Sequence, residues 1–348
     1  MPEQGSDILC LASDYMEGAH PAIIDALVRT NRERTSGYGT DGHSERARTL
    51  IRAACECPDA DVFFLTGGTQ TNVTVIGTAL APWQGVVAAQ SGHVSVHEAG
   101  AIERGGHKVI ELPATLGKIG ARQVEACVEV WENDVNRDHM VMPGMVYISQ
   151  PTEYGTLYSL AELEGLSEVC HRHGMKLYVD GARLAYALAA DENDVTLADL
   201  ARLCDAFCIG GTKCGALFGE AVVIPVHDSI PHFFTQLKQH GALFAKGRIL
   251  GLQFEVMFED GLYERIGRSA VEAACRIREA LVERGYELYF DTPTNQTFVM
   301  LDDQRLEELG RRVEMDFWER IGEGRTVMRI ATSWATTPED VTRLVAAL

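Results

Sequence analysis

The tightest constraint on the fold is an alternation that runs from Val62 to Val223. Short apolar runs at residues 61–65, 86–89, 144–149, 175–179, 206–209 and 221–225 read as strands. Helical patterns lie between them, such as residues 160–173, which Gly174 closes as a C-cap. Strands alternating with helices predict an α/β chain with a mainly parallel sheet covered on both faces. Ligands of such sheets bind at the strand C-termini. Every polar stretch of interest here follows a strand.

Four of those stretches carry groups capable of chemistry. After the first strand comes Thr66-Gly67-Gly68-Thr69-Gln70-Thr71-Asn72, then an apolar helix through Val75, Ile76, Ala79 and Leu80. A Gly-rich turn opening a helix exposes backbone N–H groups and suits a phosphate. Its glycine spacing is neither a P-loop nor a dinucleotide fingerprint, and a plain strand-to-helix turn reads equally well. The second strand ends in Ser91-Gly92-His93, with His97-Glu98-Ala99-Gly100 shortly after. His93 and His97 would share a helix face, but a third ligand and the zincin pattern are missing, so no metal is expected. A histidine there can also offer its flat ring to an aromatic ligand. The third stretch, Asp180-Gly181-Ala182-Arg183, places a carboxylate at a strand end.

Lys213 lies in Gly210-Gly211-Thr212-Lys213-Cys214-Gly215, between two apolar runs. A lysine desolvated in that small-residue collar would have a lowered pKa and could form a Schiff base with a carbonyl. Alone, the stretch reads more simply as a solvated lysine on a Gly-rich hairpin. The other strand-end stretches reverse that preference.

The flanks are less regular. An apolar run at residues 8–12 leads to Ser13-Asp14-Tyr15, and Pro21 suits the first turn of a helix over 22–28. Residues 36–43 form a loop, and Ser44 caps a helix over 45–55. Beyond Pro225, residues 241–258 and 262–284 read as long helices. A smaller α/β unit follows, with strands at 287–290, 297–301 and 327–334, a helix at 305–312, and a last helix capped at Thr337 or Pro338.

The 348 residues, 46% of them hydrophobic, suffice for a large core. A net charge of −19 excludes nucleic acid and anionic membrane as main partners, so any anionic ligand must be held by local donors. The nine cysteines show no disulfide spacing and look like reduced core residues. The polar start, residues 1–7, has no apolar signal core, and no run is long enough to span a membrane. A cytoplasmic protein is the expectation.

A phosphate turn, a stacking histidine, an Asp at one strand end and a Lys at a later one are the parts that pyridoxal 5′-phosphate requires. With these residues the chain resembles the threonine aldolase and β-eliminating lyase family of fold-type-I pyridoxal-phosphate enzymes. The most specific matches are Gly68-Thr69-Gln70-Thr71-Asn72, His93 five residues before Glu98-Ala99-Gly100, and Asp180-Gly181-Ala182-Arg183. The resemblance implies an aspartate-aminotransferase-like fold: an N-terminal arm over 1–20, a large coenzyme domain over 21–250 and a small C-terminal domain over 251–348. It implies that Lys213 is the Schiff-base lysine, Asp180 the partner of the pyridine nitrogen, and His93 the stacking residue and a candidate base. Gly68 and Thr69 match the phosphate turn, and Arg183 lies beside the coenzyme and substrate. Arg329 matches the arginine that holds the substrate carboxylate, and Ser13 a substrate-contacting serine. Tyr38 and Lys246 align with segments that reach the site from a neighbouring subunit, so a homodimer or homotetramer with shared sites is implied.

Two departures stand out. The family's Asn-Thr-His stretch appears as Pro151-Thr152-Glu153, and its neighbour-subunit arginine as Lys246. Glu153 therefore stands where the family has a histidine near the substrate hydroxyl, either as a base or as the partner of a nearby arginine. The reading adopted is an aldehyde-lyase that cleaves β-hydroxy-α-amino acids, of the threonine, allo-threonine or phenylserine type, to glycine and an aldehyde. β-Elimination and transamination would use the same coenzyme site. A non-catalytic coenzyme-binding paralogue is disfavoured by the joint presence of Lys213, Asp180 and His93.

Overall fold

The computed structural model describes residues 8–348; the polar start at 1–7 lies outside them. In chain order the strands are β1 (Leu9–Cys10), β2 (Asp61–Leu65), β3 (Gln84–Ala89), β4 (Val109–Leu112), β5 (Met142–Ser149), β6 (Lys176–Asp180), β7 (Ala206–Gly210), β8 (Glu220–Ile224), β9 (Glu287–Leu288), β10 (Gln296–Asp302), β11 (Val313–Glu314), β12 (Asp316–Arg320) and β13 (Arg325–Ala331). Seven of them form one sheet in the order β2-β8-β7-β6-β5-β3-β4. Only β8 runs against its neighbours; the pairs from β7 across to β4 are parallel. The C-terminal ends of β2, β3, β5, β6 and β7 therefore share one edge, and β8 begins there.

Alternation along the strands fills two cores, one on each face. Val146, Ile148, Val179 and Phe207 pack with Leu163 and Phe254 from covering helices. Met145, Tyr147, Tyr178 and Cys208 pack on the other face with Val75 and Ile76 of the helix Gly68–Ala79. A second, antiparallel sheet has the order β12-β13-β10-β9. Its apolar face packs against Ile277 and Leu281 of the helix Leu262–Glu283 and Leu344 of the helix Pro338–Ala347. The short β1 joins this region by pairing in parallel with β11.

The mainly parallel sheet follows the sequence expectation, while several boundaries differ for local reasons. The helix Gly42–Ala54 starts before Ser44, because Asp41 is the cap: it accepts from Ser44 N at 2.9 Å and Ser44 Oγ at 2.8 Å. The helix expected over 241–258 begins only at Arg248. Gly241 adopts φ +73°, and a Cβ on Gly247 would sit 2.4 Å from Gly39 N, so 241–247 packs as turns and irregular backbone against the 37–39 loop. The strand expected over 327–334 stops at Ala331. Thr332 and Ser333 instead bond to Asn295 and Thr336. Strand β4, the helix Ala121–Asn133 and strand β12 carry no signal strong enough to be foreseen.

Candidate active site

The shared strand edge opens into a cavity of about 300 Å³. Each turn after a strand delivers a side chain or backbone group to it: Gly68 and Thr69 after β2, His93 after β3, Glu153 after β5, Arg183 after β6 and Lys213 after β7. Asp180, the last residue of β6, completes the floor. An outer chamber of about 770 Å³ shares His93, Glu153, Arg183 and Lys213 and adds Arg329, His97, Tyr154 and Trp318. The glycines of the two adjoining turns are dictated by backbone approach. A Cβ on Gly181 would lie 2.1 Å from Cys208 O, and one on Gly210 would lie 2.3 Å from Ala182 O. Any side chain there would force the ends of β6 and β7 apart, and with them Asp180 and Lys213.

A single buried amide links the two ends of the cavity floor. Asn72 Nδ2 donates to Asp180 Oδ2 at 3.0 Å and to Glu98 Oε1 at 2.7 Å, while its Oδ1 accepts from Tyr178 Oη at 2.8 Å. Asp180 also accepts from Tyr147 Oη at 2.7 Å and from Ala182 N at 2.9 Å. Burial, followed by the charge of Asp180, pushes the Tyr147 phenol well above its ordinary range, so Tyr147 stays a donor. Glu98 Oε1 accepts in turn from His93 Nδ1 at 2.8 Å. A carboxylate on Nδ1 assigns the proton to that nitrogen and leaves Nε2 as the free acceptor.

Lys213 is set among charges of both signs. Burial, then the nearby Arg183 guanidinium, pulls its amine below the ordinary lysine range. Arg183 is forked onto Asp14, Nε to Oδ2 at 2.6 Å and Nη2 to Oδ1 at 3.0 Å. Burial alone would push the Asp14 carboxyl up, but Arg183 and then Lys213 more than offset it and hold Asp14 below its usual range. Asn295 Nδ2 gives Asp14 a further bond at 2.9 Å.

The helix Gly68–Ala79 opens on the cavity with Gly67 as N-cap and without any side-chain cap. The first-turn N–H groups of Gly68 and Thr69 have no intrahelical acceptor by geometry. A Cβ at Gly67 or Gly68 would meet nothing within 4 Å, so the approach to those amides is open. Uncapped amides, a positive helix end and an amine with depressed pKa form a donor set suited to an anionic carbonyl compound such as pyridoxal phosphate. Across the outer chamber, Arg329 donates Nη1 to Gln296 Oε1 at 3.1 Å and Nη2 to Asp316 Oδ2 at 2.6 Å. Its Nε is buried with no partner, a donor aimed at nothing in the protein.

The sequence model of the beta-eliminating lyases matches residues 11–304. The chain belongs to that family. It is a lyase, as the sequence led us to expect. The low specificity L-threonine aldolase of Pseudomonas aeruginosa is 30% identical over 336 residues, covering 96% of this chain and 95% of the relative. The solved threonine aldolase of Leishmania major is 43% identical, with a TM-score of 0.93 over 97% of each chain. Aspartate aminotransferase of Thermus thermophilus, at 16% identity and TM-score 0.71 over 99% and 91% of the two chains, shares the fold. The aspartate-aminotransferase-like, fold-type-I architecture is thereby borne out.

In this lyase Lys213, Asp180, His93, Glu153, Gly68, Thr69 and Arg183 meet in one cavity, and Arg329 joins them in the outer chamber. Glu153 is paired with no arginine among the described residues. Its Oε1 accepts from Ser149 Oγ at 2.7 Å and His93 N at 3.0 Å, and burial pushes its carboxyl up. Ser13 lies outside both chambers, with its Oγ buried and unpartnered, while its neighbours Asp14 and Tyr15 serve the site. Tyr38 and Lys246 are exposed and away from the cavity, on two segments joined by Tyr38 N to Phe244 O at 3.1 Å. The rings of His93 and His97 lie 5.6 Å apart, and no cluster of three metal-ligating side chains occurs among the described residues. Sequence reasoning did not assign Asn72, Glu98, Asp14 or Glu220. The one available signal for Glu220 is a charge opening an otherwise apolar strand directly after a Gly-rich turn.

Proposed function

We propose that this lyase uses pyridoxal 5′-phosphate to cleave β-hydroxy-α-amino acids to glycine and an aldehyde. The observation that carries the reading is the convergence, in one cavity, of a depressed-pKa amine, a carboxylate held by three donors and an uncapped helix N-terminus. Lys213 would hold the coenzyme aldehyde, Asp180 its ring nitrogen, His93 its ring face, Gly68 and Thr69 its phosphate, and Arg183 its flank. When bound, the coenzyme supplies an electron sink for the pair left at Cα when a bond to that carbon breaks.

The chain's own residues then do the rest. Arg329 meets the substrate α-carboxylate with its unpartnered Nε and contests Nη2 with Asp316, whose side chain is half-exposed. Gln296 steadies the guanidinium meanwhile. A fixed carboxylate limits which Cα substituent can be cleaved. Two groups can accept the β-hydroxyl proton: His93 through Nε2, and Glu153 through Oε2, which makes no hydrogen bond among the described residues. Burial, which pushes the Glu153 carboxyl towards working pH, favours it as a group that both takes and returns a proton. Ser13, with its unpartnered Oγ beside Asp14, is assigned to the substrate side.

Tyr38 and Lys246 are assigned to a neighbouring copy's site in a homodimer or homotetramer. The close backbone packing of their two segments supports a joint role: a Cβ on Gly37 would lie 2.6 Å from Ala245 O. Nine unpaired cysteines support a reducing, cytoplasmic setting, and no helix among the described residues is long and apolar enough to cross a membrane. We assign a large coenzyme domain to 21–250, a small domain to 251–348 and an arm to 1–20; the seven-stranded sheet lies within the first and the four-stranded sheet within the second. The test is a panel of L-threonine, L-allo-threonine, phenylserine and serine with product identification. Glycine plus aldehyde supports the reading; ammonia plus keto acid would replace it with β-elimination.

A further inference from the structure

We infer that Glu220 is a coenzyme-binding residue that meets the anionic end of the ligand as a neutral carboxylic acid, so that binding draws a proton into the pocket. The inference rests on the coenzyme reading above and concerns a residue that reading leaves unused.

Its place in the sheet is the first reason. Glu220 opens β8 and pairs across to Leu65 on one side and Gly210 on the other. It therefore stands between the turn that presents Gly68 and Thr69 and the turn that presents Lys213. Its side chain lines the inner cavity together with both turns and is 3% exposed overall. The second reason is its thin support. Oε2 accepts from Gly211 N at 3.2 Å and lies 3.9 Å from Cys208 Sγ. The Thr212 hydroxyl accepts from Gly219 N at 3.0 Å and has its proton free for Glu220. Glu220 forms no ion pair among the described residues.

The surrounding groups do not favour charge on it. Asp180 faces it from β6 and Lys213 from the turn after β7, one of each sign. Tyr178 on β6, Cys208 on β7, Cys214 and Tyr263 also lie near, and burial pushes all four up, so they are neutral. The turn after β2 adds no titratable side chain. Burial dominates and pushes Glu220 up to about 8. An anion placed on the amides of Gly68 and Thr69 adds negative charge to the same cavity and removes water from it. Both effects favour the protonated acid further. The balance is simple: the carboxylate takes one proton from buffer as the ligand enters and returns it as the ligand leaves. A group whose pKa rises on binding supports affinity fully below its free value, and that support is lost as pH climbs. Above the free value of Glu220, affinity should fall by up to about tenfold per pH unit.

Pyridoxamine 5′-phosphate tests this, because it carries the phosphate but has no aldehyde to condense with Lys213. Calorimetric titration between pH 7 and 9.5, in buffers of different ionisation enthalpy, counts the protons taken up. The wild-type chain should take up progressively more as pH rises, by about one proton beyond Glu220→Gln at the alkaline end. Infrared difference spectra of the wild-type chain at alkaline pH should gain a protonated-carboxyl band on binding. That measurement needs no variant to fold. Equal uptake by the two proteins, or no such band, overturns the inference. Failure of the wild-type chain to bind the ligand at all would overturn the coenzyme reading beneath it.

Discussion

Asn72→Leu removes one side chain of nearly the same size and three hydrogen bonds with it. Asn72 is 1% exposed, so water cannot replace the lost partners. Two of the bonds end on carboxyl groups, where each contributes about 1.5–3 kcal/mol, and the third leaves the buried Tyr178 hydroxyl without its acceptor at a cost of about 1–3 kcal/mol. The three share one residue and are not additive; Asp180 keeps Tyr147 and Ala182, and Glu98 keeps His93. The expected loss is about 3–5 kcal/mol, a large part of the ~5–15 kcal/mol that holds an ordinary domain folded. Urea unfolding of the coenzyme-free protein, followed by circular dichroism, measures it, with the slope unchanged and the midpoint shifted. Asn72→Asp is the diagnostic partner. It keeps the shape but sets a third carboxyl against two others, so its deficit should shrink as pH falls and the new acid protonates. A loss below about 1 kcal/mol for Asn72→Leu, or a pH-independent deficit for Asn72→Asp, would refute the bridging role.

Borohydride reduction of the coenzyme-loaded protein followed by peptide mapping should label Lys213, and Lys213→Ala should lose both label and turnover; a label on another lysine contradicts the assignment. Asp180→Asn keeps the shape and removes the charge, so turnover should fall by orders of magnitude while some coenzyme still binds, and near-normal turnover would argue against the ring-nitrogen role. Glu153→Gln should abolish cleavage while exchange of the glycine α-proton persists; unchanged cleavage would leave His93 as the base. In the coenzyme-free chain the raised Glu220 stabilises the fold below its unfolded value, near 4.5, and that contribution is lost as pH rises through about 8. Glu220→Gln should therefore flatten the fall in melting temperature across that window, and an unchanged slope would place the titration elsewhere.

Asp180, His93 and Lys213 are legible in the sequence because each follows an apolar run, and a parallel sheet sends every such end to one edge. The same rule makes the Gly68-Thr69 turn legible. What a linear pattern does not contain is the face each side chain takes across strands distant in sequence. Asn72 reaches Asp180 over 108 positions, and Asp14 reaches Arg183 over 169. Both pairings depend on register between elements, which no local spacing encodes. Glu220 is hidden differently: its strand is the one that runs backwards, so its first residue, rather than its last, meets the ligand edge. The shift of the helix start from Glu45 to Gly42 has a local cause, since Asp41 and Ser44 are both good caps three residues apart and the carboxylate wins.

Local donors, rather than the overall charge of the pocket, explain how a chain of net −19 can receive anions at all. Around the two chambers, Lys213, Arg183 and Arg329 stand against Asp14, Asp180, Glu98, Glu153, Glu220, Asp316 and Glu319. Counted as fully ionised, three cations against seven carboxylates leave −4, and the Asp14–Arg183 fork and the Asp316–Arg329 pair cancel within themselves. Such a pocket would repel both a phosphate and a substrate carboxylate. Burial pushes up two of these carboxyls, Glu153 and Glu220, and neither forms an ion pair among the described residues. With a proton on Glu220, which burial pushes up to about 8, the cavity carries one negative charge fewer at neutral pH. Local donors then decide the outcome: the first-turn amides for one anion and the unpartnered Nε of Arg329 for the other. Raising the pH returns negative charge to the cavity before it removes any from the arginines. The alkaline limit of ligand binding should therefore come from Glu220, and its substitution to glutamine should move that limit upward even where turnover is lost.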